Sequence, residues 1–206
     1  MKKSLLALIF AAAFVVPALA ENMWVGGSFG YNSQNDSADG GDYKYSTTSW
    51  SIEPEFGYSL NEKWDIGLDL EYASAQGVDK ILGFEIPWAE DTSIDTTEMG
   101  IAPFARFHVA KIAGVDVMLK GSVFYVSGEA KAPYLKVDYT GYGVSIAPVI
   151  SYSINETWSI GATLNFAELT FTHVEFDDYG MKPKNDNFGF NLNNGSLINI
   201  GFSYHF

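Results

Sequence analysis

Trp50-Ser51-Ile52-Glu53-Pro54-Glu55-Phe56-Gly57-Tyr58-Ser59-Leu60 is apolar at every even position and polar or small at every odd one. After Asn61-Glu62-Lys63 the alternation resumes. Trp64, Ile66, Leu68, Leu70 and Tyr72 then interleave with Asp65, Gly67, Asp69 and Glu71. A period of two puts alternate side chains on opposite faces of an extended chain, whereas a helix would repeat every 3.6 residues. The passage predicts two strands joined by a tight turn, each with one apolar and one polar face.

The same hairpin recurs twice. Met99, Ile101, Pro103, Ala105, Phe107 and Val109 alternate with Glu98, Gly100, Ala102, Arg106 and His108. Beyond a turn at Lys111 to Gly114, Val115, Val117, Leu119, Val123 and Tyr125 take one parity, with Asp116, Lys120 and Ser122 on the other. The third copy carries Tyr142, Val144, Ile146, Pro148, Ile150 and Tyr152, turns at Asn155-Glu156-Thr157, and continues through Trp158, Ile160, Leu164 and Phe166. Single strands complete the set near Met23 to Tyr31 and Ser196 to Phe206. One strand, three pairs and one strand give eight, an even number that lets the first and last pair antiparallel and removes both edges. The expected fold is all-β, an eight-stranded antiparallel up-and-down transmembrane β-barrel.

Connections alternate in length. Short turns follow Leu60, Val109 and Ile154, while long polar loops are expected at Asn32 to Thr47, Ala73 to Thr96, Ser127 to Asp138 and Thr170 to Asn194. Short turns on one rim and long loops on the other suit a barrel crossing an outer membrane, with the loops outside. The apolar run Ile81 to Trp88 in the second loop reads as a hairpin extending the wall, with a binding surface as the alternative.

The alternative eight-stranded design, a soluble ligand carrier, is apolar inside. Here the polar face bears Glu53, Glu55, Asp65, Asp69, Glu71, Glu98, Arg106, Asp116 and Lys120, which a narrow lumen can hold if the charges satisfy one another. The apolar face carries Trp64 and Trp158 just past short turns, where interfacial aromatic girdles lie. Mean hydropathy is near zero, as alternation dictates.

Residues 1–20 read as a signal peptide: Lys2 and Lys3, an apolar stretch from Leu5 to Val16, and Ala18-Leu19-Ala20 before Glu21. The barrel domain is then 21–206. Without Lys2 and Lys3, ten basic residues face 25 acidic ones, a net charge of −15 that argues against nucleic-acid binding. Cysteine is absent, which excludes thiolate metal sites and cysteine nucleophiles. No metal or other cofactor is expected.

Ser51-Ile52-Glu53-Pro54-Glu55-Phe56-Gly57-Tyr58, Trp64-Asp65-Ile66-Gly67, Trp24 to Tyr31 and Ala102-Pro103-Phe104-Ala105-Arg106-Phe107 together resemble the outer-membrane protein β-barrel domain family. The resemblance spans Glu21 to Phe206 and implies a fold and a location in the outer membrane of a Gram-negative cell, not a chemistry. Ile200, Phe202, Tyr204 and the final Phe206 resemble the C-terminal signal that the outer-membrane assembly machinery reads in that family.

A hydrolase or acyltransferase acting on lipid A would require a histidine with a serine and an acid at the outer rim. His108 and His205 fall near the opposite rim, and His173 has no serine partner in sequence. Phe104, Met118 and Phe124 take the inward parity and leave little room for a pore. The expected function is a surface barrel, structural or adhesive and not enzymatic. An enzyme acting on outer-leaflet lipid is the rival, and a soluble carrier comes third. Expected partners are membrane lipid, lipopolysaccharide and the assembly machinery, with the barrel a monomer. A cluster of lumen charges is the remaining site: Glu53, Glu55, Asp69, Glu71, Glu98, Arg106 and Lys120. A turn pairing Leu60 with Trp64 sets Glu55 opposite Asp69 and Glu53 opposite Glu71, like-charged pairs that repel. Arg106 and Lys120 reaching across the lumen, shared protons, or a bound cation could each neutralise them.

Overall fold

The computed structural model describes residues 22–37, 44–78, 80–81, 84–85, 94–132, 135–164, 168–177, 184–191 and 198–206. The expected signal peptide, residues 1–20, and Phe166 lie outside these residues. Eight strands close into a ring: β1 (Met23–Ser37), β2 (Lys44–Asn61), β3 (Trp64–Val78), β6 (Ile94–Ile112), β7 (Val115–Ala132), β8 (Leu135–Ser153), β9 (Trp158–Leu164) and β12 (Ile198–His205). All neighbours are antiparallel, and β1 closes on β12 through pairs running from Trp24↔His205 to Phe29↔Ile200. Two further strands, β10 (Glu168–Asp177) and β11 (Lys184–Asn191), prolong the seventh and eighth positions: β9 pairs the lower half of β8 and β10 its upper half. Followed pair by pair round the ring, the register returns to β1 about ten residues along, a stagger that tilts the strands by about 40°.

The short rim is tighter than the sequence suggests. Asn61, not Leu60, pairs with Trp64, leaving only Glu62 and Lys63 in the turn. A bulge between Ser59 and Asn61 absorbs the difference, so Glu55 still faces Asp69. Asn61 Oδ1 accepts from the Lys63 amide at 2.9 Å, and Asn155 Oδ1 accepts from Thr157 and Trp158 amides at 2.9 and 2.7 Å. The similarity of the two turn sequences is thus a shared asparagine cap. Between β6 and β7, Ala113 and Gly114 have φ of 51° and 86°, the double left-handed bend that suits a two-residue hairpin.

The long rim corrects the expected loops. β6 and β8 run 19 residues and β2 and β7 run 18, whereas about 9–11 cross a bilayer. Most of Ser127 to Asp138 and much of Thr170 to Asn194 are therefore strand, and the wall continues beyond the membrane. In the second loop β4 (Lys80–Ile81) and β5 (Phe84–Glu85) pair as a small hairpin; the rest of Ile81 to Trp88 lies outside the described residues.

Outward positions form an apolar belt. Phe29, Ile52, Ile66, Ile101, Leu119, Val123, Val144, Ile146 and Ile200 are all exposed. The belt is bordered by Trp64, Tyr152 and Trp158 below and by Tyr31, Trp50, Tyr125 and Tyr142 above. Tyr152 to Tyr142 along a tilted strand spans about 25 Å, the height of a barrel's lipid-facing band. A continuous apolar belt of this kind round a closed ring is what a lipid-facing surface requires.

Beyond Tyr125 and Tyr142 the pattern inverts. Val126, Ala130, Val137, Tyr139, Val174 and Ile94 point inward and are buried, while Lys131, Lys136 and Asp138 point outward. Water has replaced lipid outside this part of the wall, so the ordinary rule of apolar residues inside returns. Replacing Val137 (1% exposed) with Asp is expected to loosen this outer collar while leaving the belt inserted. Proteolysis of intact cells should become on the order of tenfold faster there, with a full-size membrane-protected fragment remaining. Unchanged cleavage, or loss of insertion, would count against the inversion.

Candidate functional site

The charged side chains of the lumen come from β2, β3, β6 and β7, whose inward parities coincide at one level. Arg106 Nη2 contacts both Glu55 carboxylate oxygens at 2.6 and 2.7 Å. Lys120 Nζ lies 2.8 Å from Glu55 Oε1 and 2.5 Å from Asp69 Oδ2, and so bridges the two opposed carboxylates. Four of the seven expected residues thus form one contact set. All four are shielded, Arg106 and Glu55 being buried outright.

The other three occupy neighbouring positions. Glu53 accepts from Ser28 at 3.1 Å, Ser51 at 3.0 Å and Asn199 Nδ2 at 2.7 Å, all neutral donors. Glu98 accepts from the Tyr139 hydroxyl at 2.9 Å. Glu71 faces the same layer, its carboxylate close to Gly100. These carboxylates grade into the apolar inner face of the collar above.

Aromatic rings support the cations. The Arg106 guanidinium lies 4.7 Å from the Trp24 ring and 4.8 Å from that of Phe104, and Lys120 Nζ lies 4.6 Å from Phe104. Ring faces attract cations, and in a site shielded from water the attraction is stronger than at a surface. Two glycines make room for the rings. Gly57 and Gly67 are paired across β2 and β3; a Cβ on Gly57 would lie 2.1 Å from the Trp24 indole, and one on Gly67 2.3 Å from Phe104. Gly67 shares the inward parity of Asp65 and Asp69, yet it faces a packed ring. Trp24 was the residue missed. Its even number, against outward Val25, Phe29 and Tyr31, already assigned it to the interior.

The histidines separate. His108 lies between Asp116 Oδ2 at 2.8 Å and Asp65 Oδ2 at 3.0 Å, near the short-turn rim. His205 Nε2 is 3.3 Å from Ser159 Oγ, but Ser159 is buried and at the same rim. His173 faces outward, pairs with Asp186 at 2.5 Å and packs on the Tyr142 ring at 4.8 Å. On the collar's outer face Glu129 is ion-paired with Lys131 and, at 2.7 Å, with Lys136. Hydrogen bonds from those two lysines hold its carboxyl down at about 2. So exposed a cluster adds little stability.

The C-terminal aromatics fall on the lower girdle. Tyr204 stacks edge-on with Trp158 at 5.0 Å and Phe206 at 4.8 Å, and the Phe206 amide donates to Met23 O at 3.1 Å. The ladder thus extends to the last residue. Replacing Phe206 with Asp is expected to cut outer-membrane accumulation severalfold, read by heat-modifiable gel mobility in membrane fractions; wild-type levels would remove the terminal aromatic from assembly.

A closed antiparallel ring, apolar outward and charged inward, defines an integral outer-membrane β-barrel. The family model described as "outer membrane protein beta-barrel domain" matches residues 5–206, and the chain belongs to that family. No curated protein matches. Among solved structures, Neisserial surface protein A is similar at 12% identity and TM-score 0.47, covering 89% of this chain and 97% of that one. A major outer membrane protein of Thermus thermophilus is 13% identical with TM-score 0.45, covering 89% and 99%. Ail, the attachment invasion locus protein of Yersinia pestis, is 11% identical with TM-score 0.42, covering 91% and 100%.

Proposed function

We propose that this barrel is a non-catalytic surface protein of the outer membrane, structural or adhesive in role, acting through the part of its wall that stands beyond the bilayer. The supporting observation is the inverted collar: strands about twice the length a bilayer needs, buried apolar residues inside and polar residues outside. A protein whose only task was to cross the membrane would have no use for that length. Lipid and lipopolysaccharide surround the belt and collar, the assembly machinery inserts the chain, and the barrel acts as a monomer.

The test compares cells carrying the full barrel with cells in which residues 127–140 are replaced by a two-residue hairpin turn. The expected result is equal barrel in the membrane, reduced attachment to surfaces or greater sensitivity to chelators and detergent, and identical lipid A mass spectra. A lipid A mass change that depends on the protein would establish the enzymatic alternative instead. Unchanged attachment and envelope resistance would remove the collar from the function.

A further inference from the structure

The lumen is uneven. Its charges lie on β2, β3, β6 and β7, whereas β1, β8, β9 and β12 present mostly small polar groups: Ser28, Ser151, Ser159, Thr163, Asn199 and Ser203. Between the two walls is a small cavity of about 40 Å³, bordered by Arg106, Ser151, Thr163 and Asn199 and by the apolar side chains of Met118 and Val149. Two of the residues that border it carry a buried side-chain atom with no hydrogen-bond partner among the described residues: Arg106 Nε, a donor, and Asn199 Oδ1, an acceptor. Arg106 is 7% exposed and Asn199 5%.

Neither atom can be relieved by turning its own group. Arg106 Nη2 is committed to Glu55, and Asn199 Nδ2 donates to Glu53 at 2.7 Å, which fixes Oδ1 as the opposite end of the amide. Leaving a buried donor or acceptor dry costs the full desolvation penalty of that group. A polar cavity needs only about 10–15 Å³ of such volume per water molecule, with two to four polar partners. Size and chemistry therefore converge on one class of ligand.

We propose that this cavity is an internal hydration site, holding two or three ordered waters that accept from Arg106 Nε and donate to Asn199 Oδ1. The waters complete the lumen network across the barrel. They join the charged wall at Arg106 to β12, the strand that closes the ring on β1. The serine and threonine hydroxyls around them serve as either donor or acceptor, which gives the waters further partners.

Two measurements on the full barrel test this. In a high-resolution crystal structure, solvent density within hydrogen-bonding distance of both Arg106 Nε and Asn199 Oδ1 is expected. Xenon density in the cavity under pressure, or no density there at all, would overturn the proposal. In lipid-vesicle folding, Ser151→Leu fills the space with an alkyl group, and Ser151→Ala is its control. A hydrated site predicts that Ser151→Leu lowers the urea midpoint by about 0.5–1 M relative to Ser151→Ala, since displaced water leaves both atoms bare. A dry cavity predicts the opposite sign, because filling a void is stabilising, and an equal or higher midpoint would sink the site. If Ser151→Leu does not fold, the wild-type crystallographic result alone decides.

Discussion

Arg106→Met is expected to lower the stability of the folded barrel by about 3–5 kcal/mol, the cost typical of removing one partner from a buried ion pair. Arg106 is the only guanidinium in the sequence, and its Nη2 grips both oxygens of Glu55. Once it is gone, Lys120 must serve Glu55 and Asp69 alone, so one negative charge is left over inside the ring. Methionine keeps much of the volume and packs against the Trp24 and Phe104 rings, so the loss reports charge more than packing. Glu55→Gln in the same chain removes the surplus charge and leaves the Lys120–Asp69 pair intact. The double variant is therefore expected to recover much of the loss. Urea midpoints of the four species in lipid vesicles give the coupling energy directly. Purely additive effects, or an unchanged midpoint for Arg106→Met, would mean that this contact does not hold the lumen together.

Leu68→Arg is expected to cost about 2–4 kcal/mol, because Leu68 faces lipid near the middle of the belt, where a cation has no partner. Its neighbours across the two ladders are Phe56 and Pro103, both on the same apolar face. Ser122→Ala, on the lumen face, removes one hydroxyl contact of 2.7 Å to Ser145 and should cost about 1 kcal/mol. Equal effects of the two would reverse the assignment of faces. Gly67→Ser probes the lumen face sterically. Its Cβ would meet Phe104 at 2.3 Å and the Phe56 carbonyl oxygen at 2.4 Å, so it should also destabilise, through overpacking. Phe104→Leu should rescue Gly67→Ser in part, the backbone contact remaining, and leave Leu68→Arg unrescued. That difference separates a steric lesion inside from an electrostatic one outside.

Alternation from Trp50 to Tyr72, repeated twice and flanked by single strands, was enough to determine strand number, antiparallel order, the lipid-facing parity and the closure of β12 on β1. Such features follow from local chemistry: side chains alternate along a strand, short turns pair successive strands, and an even count lets the first and last meet antiparallel. Parity likewise placed Glu55, Asp69, Arg106 and Lys120 on the inner face, and register set Glu55 against Asp69. What parity could not supply was depth and reach. That Lys120 bridges those carboxylates, that Trp24 and Phe104 flank Arg106, and that Gly57 and Gly67 make space for the rings depend on the stagger of about ten residues round the ring. The inversion at Val126 and Gly141 was written in the sequence as a change of apolar parity, from Tyr125 and Tyr142 to Val126, Val137 and Tyr139. Under the single rule of apolar side chains outward, these residues look like loop, because that rule holds only within the membrane. Only the folded wall shows where lipid ends and water begins, and with it which face of the same strand must be apolar.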